Sequence, residues 1–262
     1  MTTEHPPKSI IEVENLTVSY GPKPALLDVS LCINKGELVG VIGPNGAGKS
    51  TLIKAILGFV KRDIGMVRID GVAAERAKGR VAYVPQRGTV EWDFPITVKE
   101  VALMGRYHHI PWYRDARTQD HKIVDEALEM VRMQDFGNRQ IGQLSGGQQQ
   151  RVFMARALAQ GADILLLDEP FAGVDAATER AILDVLEQAK SAGKTLVVVH
   201  HDLTTAAEYF DQLILIKQRL YAYGPPRVVL REDLLSEVYE GRLRVFADLI
   251  KDKPNAGSEG TP

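Results

Sequence analysis

The run Gly43-Pro44-Asn45-Gly46-Ala47-Gly48-Lys49-Ser50 constrains this chain most, because it fits the pattern Gly-x-x-x-x-Gly-Lys-Ser/Thr. Glycines at this spacing permit a tight loop whose backbone N–H groups turn inward, and the helix that follows adds its positive N-terminal end. The apolar run Leu38–Ile42 predicts a buried strand before the loop, and helical character is predicted over Lys49–Leu57. A strand, such a loop and a helix in this order predict an α/β fold with a phosphate-binding loop (P-loop).

Short apolar runs alternate with helical patterns along the chain, which favours a mainly parallel sheet covered by helices. The predicted strands are Ile11–Val18, Val29–Ile33, Leu38–Ile42, Val67–Ile69, Val81–Val84, Ile164–Leu167, Leu196–Val199, Leu213–Ile216 and Leu220–Tyr223. We expect the first two strands to form an antiparallel edge. From about residue 97 to residue 160 the sequence indicates helices only, so a helical subdomain is predicted to interrupt the sheet domain.

Composition sets limits on the class of protein. The chain has 262 residues, 45% of them hydrophobic and 25% charged, and a formal net charge of −2, as expected for an ordinary folded cytosolic protein. The near-neutral balance gives no reason to expect nucleic-acid binding. A single cysteine, Cys32, excludes an intramolecular disulfide and is predicted to be buried in a strand. No run approaches the roughly 18 apolar residues of a membrane-spanning helix, so this chain alone is not expected to form a pore.

Two further motifs carry chemistry. The apolar run Ile164–Leu167 ends in Asp168 and Glu169, and a strand that ends in carboxylates places them at the sheet edge where ligands bind. Asp168 is predicted to hold Mg²⁺, and Glu169 to polarise the attacking water near a γ-phosphate. Upstream, Leu144 is followed by Ser145-Gly146-Gly147-Gln148, in which Ser145 suits a helix N-cap and the glycines leave the helix start open to a phosphate.

These three motifs, in this order, resemble those of the ATP-binding cassette (ABC) family of ATPase subunits, and the match covers nearly the whole chain. The resemblance implies an α/β P-loop NTPase with a RecA-like core, an antiparallel β-subdomain and an inserted helical subdomain. We place the cassette at residues 10–247, with the core at about 10–90 and 150–225 and the helical subdomain at about 91–149. The polar residues 248–262 are expected to form a disordered tail.

The resemblance also implies roles for individual residues. Lys49, Glu169 and His201 are the expected catalytic residues, His201 being chosen over His200 because the family places its switch histidine directly before an aspartate. Ser50, Gln86 and Asp168 are expected at the Mg²⁺ site. The expected ATP contacts are Tyr20, which matches an adenine-stacking aromatic, the loop Gly43–Ser50 with Thr51, the stretch Ser145, Gly146, Gly147 and Gln148, and Asp175 in a loop that crosses a dimer interface.

Partners follow from the same resemblance. Two copies of such a cassette are expected to associate head to tail, with each ATP between the P-loop of one copy and Ser145–Gln148 of the other. Membrane permease subunits are expected on the helical subdomain. Two segments are similar to the ATPases of bacterial manganese, zinc and iron importers: Trp92-Asp93-Phe94-Pro95-Ile96-Thr97-Val98 and Leu103-Met104-Gly105-Arg106-Tyr107. This similarity implies an extracytoplasmic metal-binding protein as a further partner. The chain is therefore expected at the inner face of the cell membrane.

Two alternatives stay open on the sequence alone. A soluble cassette ATPase, for example in cofactor assembly, would carry the same motifs without a permease. A small-molecule kinase would share the P-loop but gives no role to Leu144–Gln148. The surrounding genes would separate a transporter from both alternatives, since a transporter needs a polytopic membrane partner.

Overall fold

The computed structural model describes residues 9–77, 79–90 and 94–239, and the expected tail 248–262, Trp92 and the end of the cassette at 247 lie outside them. Ten strands and eight α-helices form within the described residues. The strands are β1 Ser9–Ser19, β2 Pro24–Asn34, β3 Leu38–Ile42, β4 Ile64–Ile69, β5 Val72–Ala73, β6 Val81–Val84, β7 Ile164–Asp168, β8 Thr195–Val199, β9 Gln212–Lys217 and β10 Arg219–Gly224. The helices are α1 Lys49–Ile56, α2 Val98–Met104, α3 Thr118–Met130, α4 Gly146–Ala159, α5 Ala176–Ser191, α6 Leu203–Tyr209, α7 Pro226–Val229 and α8 Glu232–Val238.

The central sheet has six strands in the order β10-β9-β3-β8-β7-β6, and all neighbours are parallel except β10 with β9. Every residue of β3, β7 and β8 is buried, as is typical of continuous apolar runs that form central strands covered on both faces. Since parallel strands end at the same edge, the segments after β3, β6, β7 and β8 emerge together. This edge positions the site.

The first two strands belong to a second sheet, in the antiparallel order β2-β1-β4-β5. The prediction of antiparallel strands is confirmed, but they do not extend the central sheet, because β1 pairs with β4 (Ile11 opposite Ile69). Alternate residues of this sheet join α1 in the core on one face of the central sheet. Cys32 is exposed, so its predicted burial was wrong: it lies opposite Glu12 on the outer face, while its neighbours Leu31 and Ile33 face inward.

Helices α2, α3 and α4 pack together on the other face of the central sheet. The predicted helical spacing places Val124, Ala127 and Leu128 of α3 on one buried face, against Val101 of α2 and Val152 of α4. Burying a valine or leucine side chain contributes about 1.5–3 kcal/mol, so this face holds the three helices together, and α4 packs on β6 of the sheet. Among the helices described, none combines the length and the apolar character needed to cross a bilayer.

Candidate nucleotide and magnesium site

The loop after β3 has the backbone that its glycines predict. Gly43, Gly46 and Gly48 have φ values of 152°, 78° and 99°, which L side chains rarely adopt. A Cβ at Gly43 would lie 2.1 Å from the carbonyl oxygen of Ile216, so no other residue fits there. Within the loop, the Ala47 N–H donates to the Pro44 carbonyl over 3.1 Å. The loop is therefore fixed in shape at the carboxyl edge of the sheet.

Lys49, the first residue of α1, is buried at 6% exposure. Its Nζ donates to the carbonyl oxygens of Gly43, at 2.8 Å, and Pro44, at 3.1 Å, so the ammonium group is held inside the loop. Burial lowers the pKa of Lys49, while the carboxylates of Glu169 and Asp168 oppose that shift. A phosphate group in the loop would give this ammonium a compensating negative charge.

Asp168 ends β7 with 3% of its surface exposed, and its Oδ1 accepts a hydrogen bond from the Ser50 Oγ at 3.0 Å. Burial raises the pKa of this carboxyl, the hydrogen bond from Ser50 opposes the shift, and the charge of Glu169 adds to it. A buried carboxylate paired with a hydroxyl is a set of oxygen donors that suits Mg²⁺, which would also relieve the cost of burying the charge. The residues present thus fit the ion.

Glu169 follows β7 and has a φ of 51°, a left-handed backbone that costs a non-glycine residue roughly 1–2 kcal/mol. Its Oε2 accepts a hydrogen bond from Nε2 of Gln86 at 2.8 Å. Gln86 follows β6 directly, on the way to the helical subdomain. Five of the predicted residues are therefore linked at one edge: Lys49, Ser50, Gln86, Asp168 and Glu169.

The two histidines after β8 have different surroundings. His201 is exposed at the carboxyl edge, where a residue can meet a ligand. His200 is 1% exposed, and its Nε2 lies 2.8 Å from the Thr205 Oγ1 in α6. Next along the chain, Asp202 is the N-cap of α6 and accepts from the Thr204 N–H at 2.8 Å.

Ser145 is the N-cap of α4, as predicted, and shares a capping box with Gln148. The Ser145 N–H donates to the Gln148 Oε1 at 2.9 Å, and the Gln148 N–H donates to the Ser145 Oγ at 3.4 Å. A Cβ on Gly146 would lie 2.5 Å from the Arg87 guanidinium carbon, and one on Gly147 would lie 2.6 Å from the Thr178 Cγ2. The two glycines thus let neighbouring side chains lie close against this helix start.

The remaining predicted residues lie around these groups. Asp175 is the N-cap of α5 and accepts from the Thr178 N–H at 2.8 Å, so its loop is tied to the helix that meets Gly147. Thr51 is buried in the first turn of α1. Tyr20 is 65% exposed in the turn between β1 and β2, and Ala25 at the start of β2 lies against Gly48. The structure therefore places Thr51 directly after the P-loop, whereas Asp175 lies at the start of α5 and Tyr20 in an exposed turn.

Arg87 and Thr178 were missed by the sequence reasoning. Arg87 contacts Gly146, and its Nε donates to Oε1 of the buried Gln149 at 3.2 Å, which links the loop after Gln86 to α4. The only sequence signals for these residues are their places, directly after Gln86 and three residues after Asp175. A role for either residue can be inferred only when the packing of α4 is known.

A family model described as ABC transporter matches residues 26–172, which is more than half of the chain. The chain belongs to this family, and it is an ATP-binding cassette that hydrolyses ATP. The expected fold is confirmed as well, since solved ATP-binding cassettes align with this chain over nearly the whole of their own length. One of these, a dimeric cassette in a post-hydrolysis state bound to ADP and Pi, is 30% identical, has a TM-score of 0.72 and covers 83% of this chain and 99% of its own.

Curated relatives are more similar. The chain is 52% identical to the manganese transport system ATP-binding protein MntB of Bacillus subtilis, over 92% of this chain and 96% of that protein. It is 50% identical to the zinc transport system ATP-binding protein TroB of Treponema pallidum, over 89% of this chain and 88% of that protein. Both names describe subunits of transport systems, which favours the transporter hypothesis over a soluble ATPase or a kinase.

Proposed function

We propose that this chain is the ATP-hydrolysing subunit of an ABC importer that takes up a divalent transition metal, manganese, zinc or iron, through a separate permease. The observation that carries the catalytic part is the linked group Lys49, Ser50, Gln86, Asp168 and Glu169 at one sheet edge. The proposal that the transported ion is a transition metal is supported by the relatives that are named for manganese and zinc transport.

In this proposal the P-loop binds the α- and β-phosphates of ATP through its backbone N–H groups, and Lys49 moves its ammonium from the loop carbonyls to the β- and γ-phosphates. Ser50, Asp168 and Gln86 would hold Mg²⁺, which would supply positive charge against the charge that develops on the phosphates. Glu169 orients the attacking water. His201, exposed after the neighbouring strand β8, contacts the γ-phosphate and is free to respond to the loss of that group.

A second copy completes the site. Ser145–Gln148 begins α4 with backbone N–H groups and a positive helix end, which suit the γ-phosphate of ATP held by the other copy's P-loop. Asp175 contributes to the same interface, and Tyr20 stacks on adenine, which its 65% exposure permits. The dimeric relative bound to ADP and Pi supports an assembly of two cassettes.

The permease binds the surface of the helical subdomain, in our proposal, and keeps the chain at the inner face of the membrane. Large aromatic side chains are exposed there, including Trp112 at 95% and Phe94, Tyr107 and Tyr113 at 56–65%. Exposed aromatics next to arginine are typical of partner-binding surfaces. An extracytoplasmic metal-binding protein would deliver the ion to that permease.

The metal is tested by deleting the gene and measuring cellular manganese, zinc and iron by mass spectrometry when each metal is scarce. We expect one of the three to fall, and to be restored by the wild-type gene but not by Glu169→Gln. Glu187→Gln, an exposed change on α5 outside the helical subdomain, is the matched control and should restore uptake. Unchanged levels of all three metals in the deletion strain would contradict the proposal.

A further inference from the structure

His200 is a buried, polar side chain for which the catalytic scheme above has no use. Its ring lies 5.4 Å from the ring of Phe171 and 5.4 Å from that of Phe210, both nearly edge to face, and 6.0 Å from that of Tyr209. Its one polar partner among the described side chains is the Thr205 hydroxyl, 2.8 Å from Nε2. A polar ring enclosed by aromatics is costly to bury without a partner, so the hydrogen bond to Thr205 favours one orientation of the ring.

The surrounding groups come from three segments of the proposed site. Phe171 lies two residues after Glu169, and His201 is the next residue after His200. Tyr209 packs on His200 and donates from its hydroxyl to Oε1 of Glu179 at 3.2 Å. Glu179 lies in the first turn of α5, which Asp175 caps. His200 therefore contacts the neighbours of Glu169, His201 and the Asp175 loop at once.

We propose that His200 is a positioning residue for ATP hydrolysis: its hydrogen bond to Thr205 and its aromatic surroundings fix His201 relative to Glu169. The inference rests on the roles proposed above for those two residues. His200 itself is too deeply buried to contact a phosphate, so it acts through its neighbours. Burial also lowers its pKa to about 4, which leaves the ring neutral at physiological pH and able to keep one hydrogen bond.

The physical reason is geometric. Misplacing a reacting group by about 1 Å can cost on the order of 100-fold in rate while leaving ground-state binding intact. Thr205 lies in the first turn of α6, which starts directly after His201 and Asp202. The hydrogen bond from His200 to Thr205 therefore joins the end of β8 to that helix. Loss of the bond should lower kcat for ATP and leave KM nearly unchanged.

The test compares Thr205→Val, which removes the hydroxyl at constant size, with Thr205→Ser, which keeps it. We expect kcat of Thr205→Val to fall by about fivefold or more with KM within about twofold, and Thr205→Ser to stay within about twofold of wild type. His200→Phe fills the aromatic enclosure without the hydrogen bond. Its loss should not add to that of Thr205→Val in the double variant, because both remove one interaction.

Wild-type kcat in Thr205→Val, or additive losses in the double variant, would overturn the inference. Thermal unfolding is measured for each variant, and kcat is compared at a temperature at which every variant is folded, which separates a folding defect from a catalytic one. Thr205→Val should unfold at a lower temperature than Thr205→Ser, because it leaves a buried ring nitrogen unpaired. Failure of the proposed site is distinguished by Glu169→Gln and His201→Ala. If those two hydrolyse ATP at the wild-type rate, the site is wrong; if they are slowed by about tenfold while Thr205→Val is normal, only the positioning role fails.

Discussion

At the scale of single residues, the proposed site contains two buried charged groups, Lys49 and Asp168, whose pKa values are shifted in opposite directions. Burial lowers the pKa of Lys49 and raises that of Asp168, and each lies in the field of the other's opposite charge. For both groups the cost of burying the charge exceeds the stabilisation by the opposite charge nearby. A triphosphate and a divalent cation bring the missing charges, so binding is favoured by the relief of buried charge as well as by new contacts.

His200 gives a prediction about pH and stability. Its pKa is lowered from 6.5 to about 4, chiefly by burial, with a smaller effect from His201 that Asp202 opposes. The unfolded chain therefore takes up the proton first as pH falls, so stability is fully present above pH 6.5 and is lost toward pH 4. Between pH 7 and pH 4 the wild type should lose about 3 kcal/mol more than His200→Phe, which cannot titrate.

Urea unfolding of both proteins across that pH range checks this prediction. Carboxyl groups away from residue 200 titrate in the two proteins alike, so the difference between their curves reports residue 200 together with Asp202, whose pKa the charge of His200 helps to lower. Parallel curves would contradict the depressed pKa of His200.

At the scale of elements, side-chain caps mark the starts of three helices, α4, α5 and α6, whereas α1 after the P-loop begins at Gly48 without one. Ser145 caps α4, Asp175 caps α5 and Asp202 caps α6, each by accepting a backbone N–H of the first turn. Such a cap contributes about 1 kcal/mol and fixes where the helix begins. Since a helix start is also where an anion binds, the caps decide the position of the phosphate-facing N–H groups.

Ser145→Arg is expected to abolish ATP-driven dimerisation and to leave ATP binding to the single chain. The large cation would occupy the helix start that faces the phosphate of the other copy. Light scattering with ATP and without it measures the dimer, and nucleotide titration measures binding.

Thr97→Arg is the matched control, because Thr97 forms the same kind of capping box with Glu100 at the start of α2. It should cost similar stability and keep the dimer. A dimer that persists in Ser145→Arg, or one that is lost equally in Thr97→Arg, would count against the head-to-tail arrangement.

At the scale of the whole molecule, the exposed aromatics Trp112 and Tyr113 of the helical part belong to a different segment of the chain from the P-loop. Trp112 packs edge to face on Tyr113 with ring centres 5.7 Å apart, and the Arg114 guanidinium lies 5.5 Å from the Tyr113 ring centre. This pair offers apolar area with a charged rim, as protein-binding surfaces do. In our proposal, ATP chemistry and permease contact therefore belong to different residues of the chain.

Replacing Trp112 and Tyr113 with alanine should weaken the complex with the permease by about tenfold or more and leave ATP hydrolysis by the isolated chain unchanged. Ile64→Ala, at a side chain 64% exposed on β4, is the control for loss of exposed apolar surface and should keep the complex. Co-purification with the permease and ATPase assays measure the two properties. Full assembly by the double variant would move the contact elsewhere.

Much of the fold could be predicted because its signals are local. The P-loop glycines, the continuous apolar strands β3, β7 and β8 and the spacing of α3 depend on nearby residues, and each was confirmed. The exposure of Cys32 could not be predicted so well, because an alternating strand has two faces and only its partner strand determines which one is covered. The subdomain boundaries at 91 and 149 stay predictions.

The sequence by itself determined the strand, loop and helix of the P-loop, the carboxylates at the end of β7 and the cap of α4, since each follows from a few adjacent residues. Only the tertiary structure decided that Gln86 meets Glu169, that Ser50 meets Asp168, and that His200 is buried while His201 is exposed. Those contacts join residues up to 118 positions apart. Their geometry depends on the order of strands in the sheet, which no local pattern specifies.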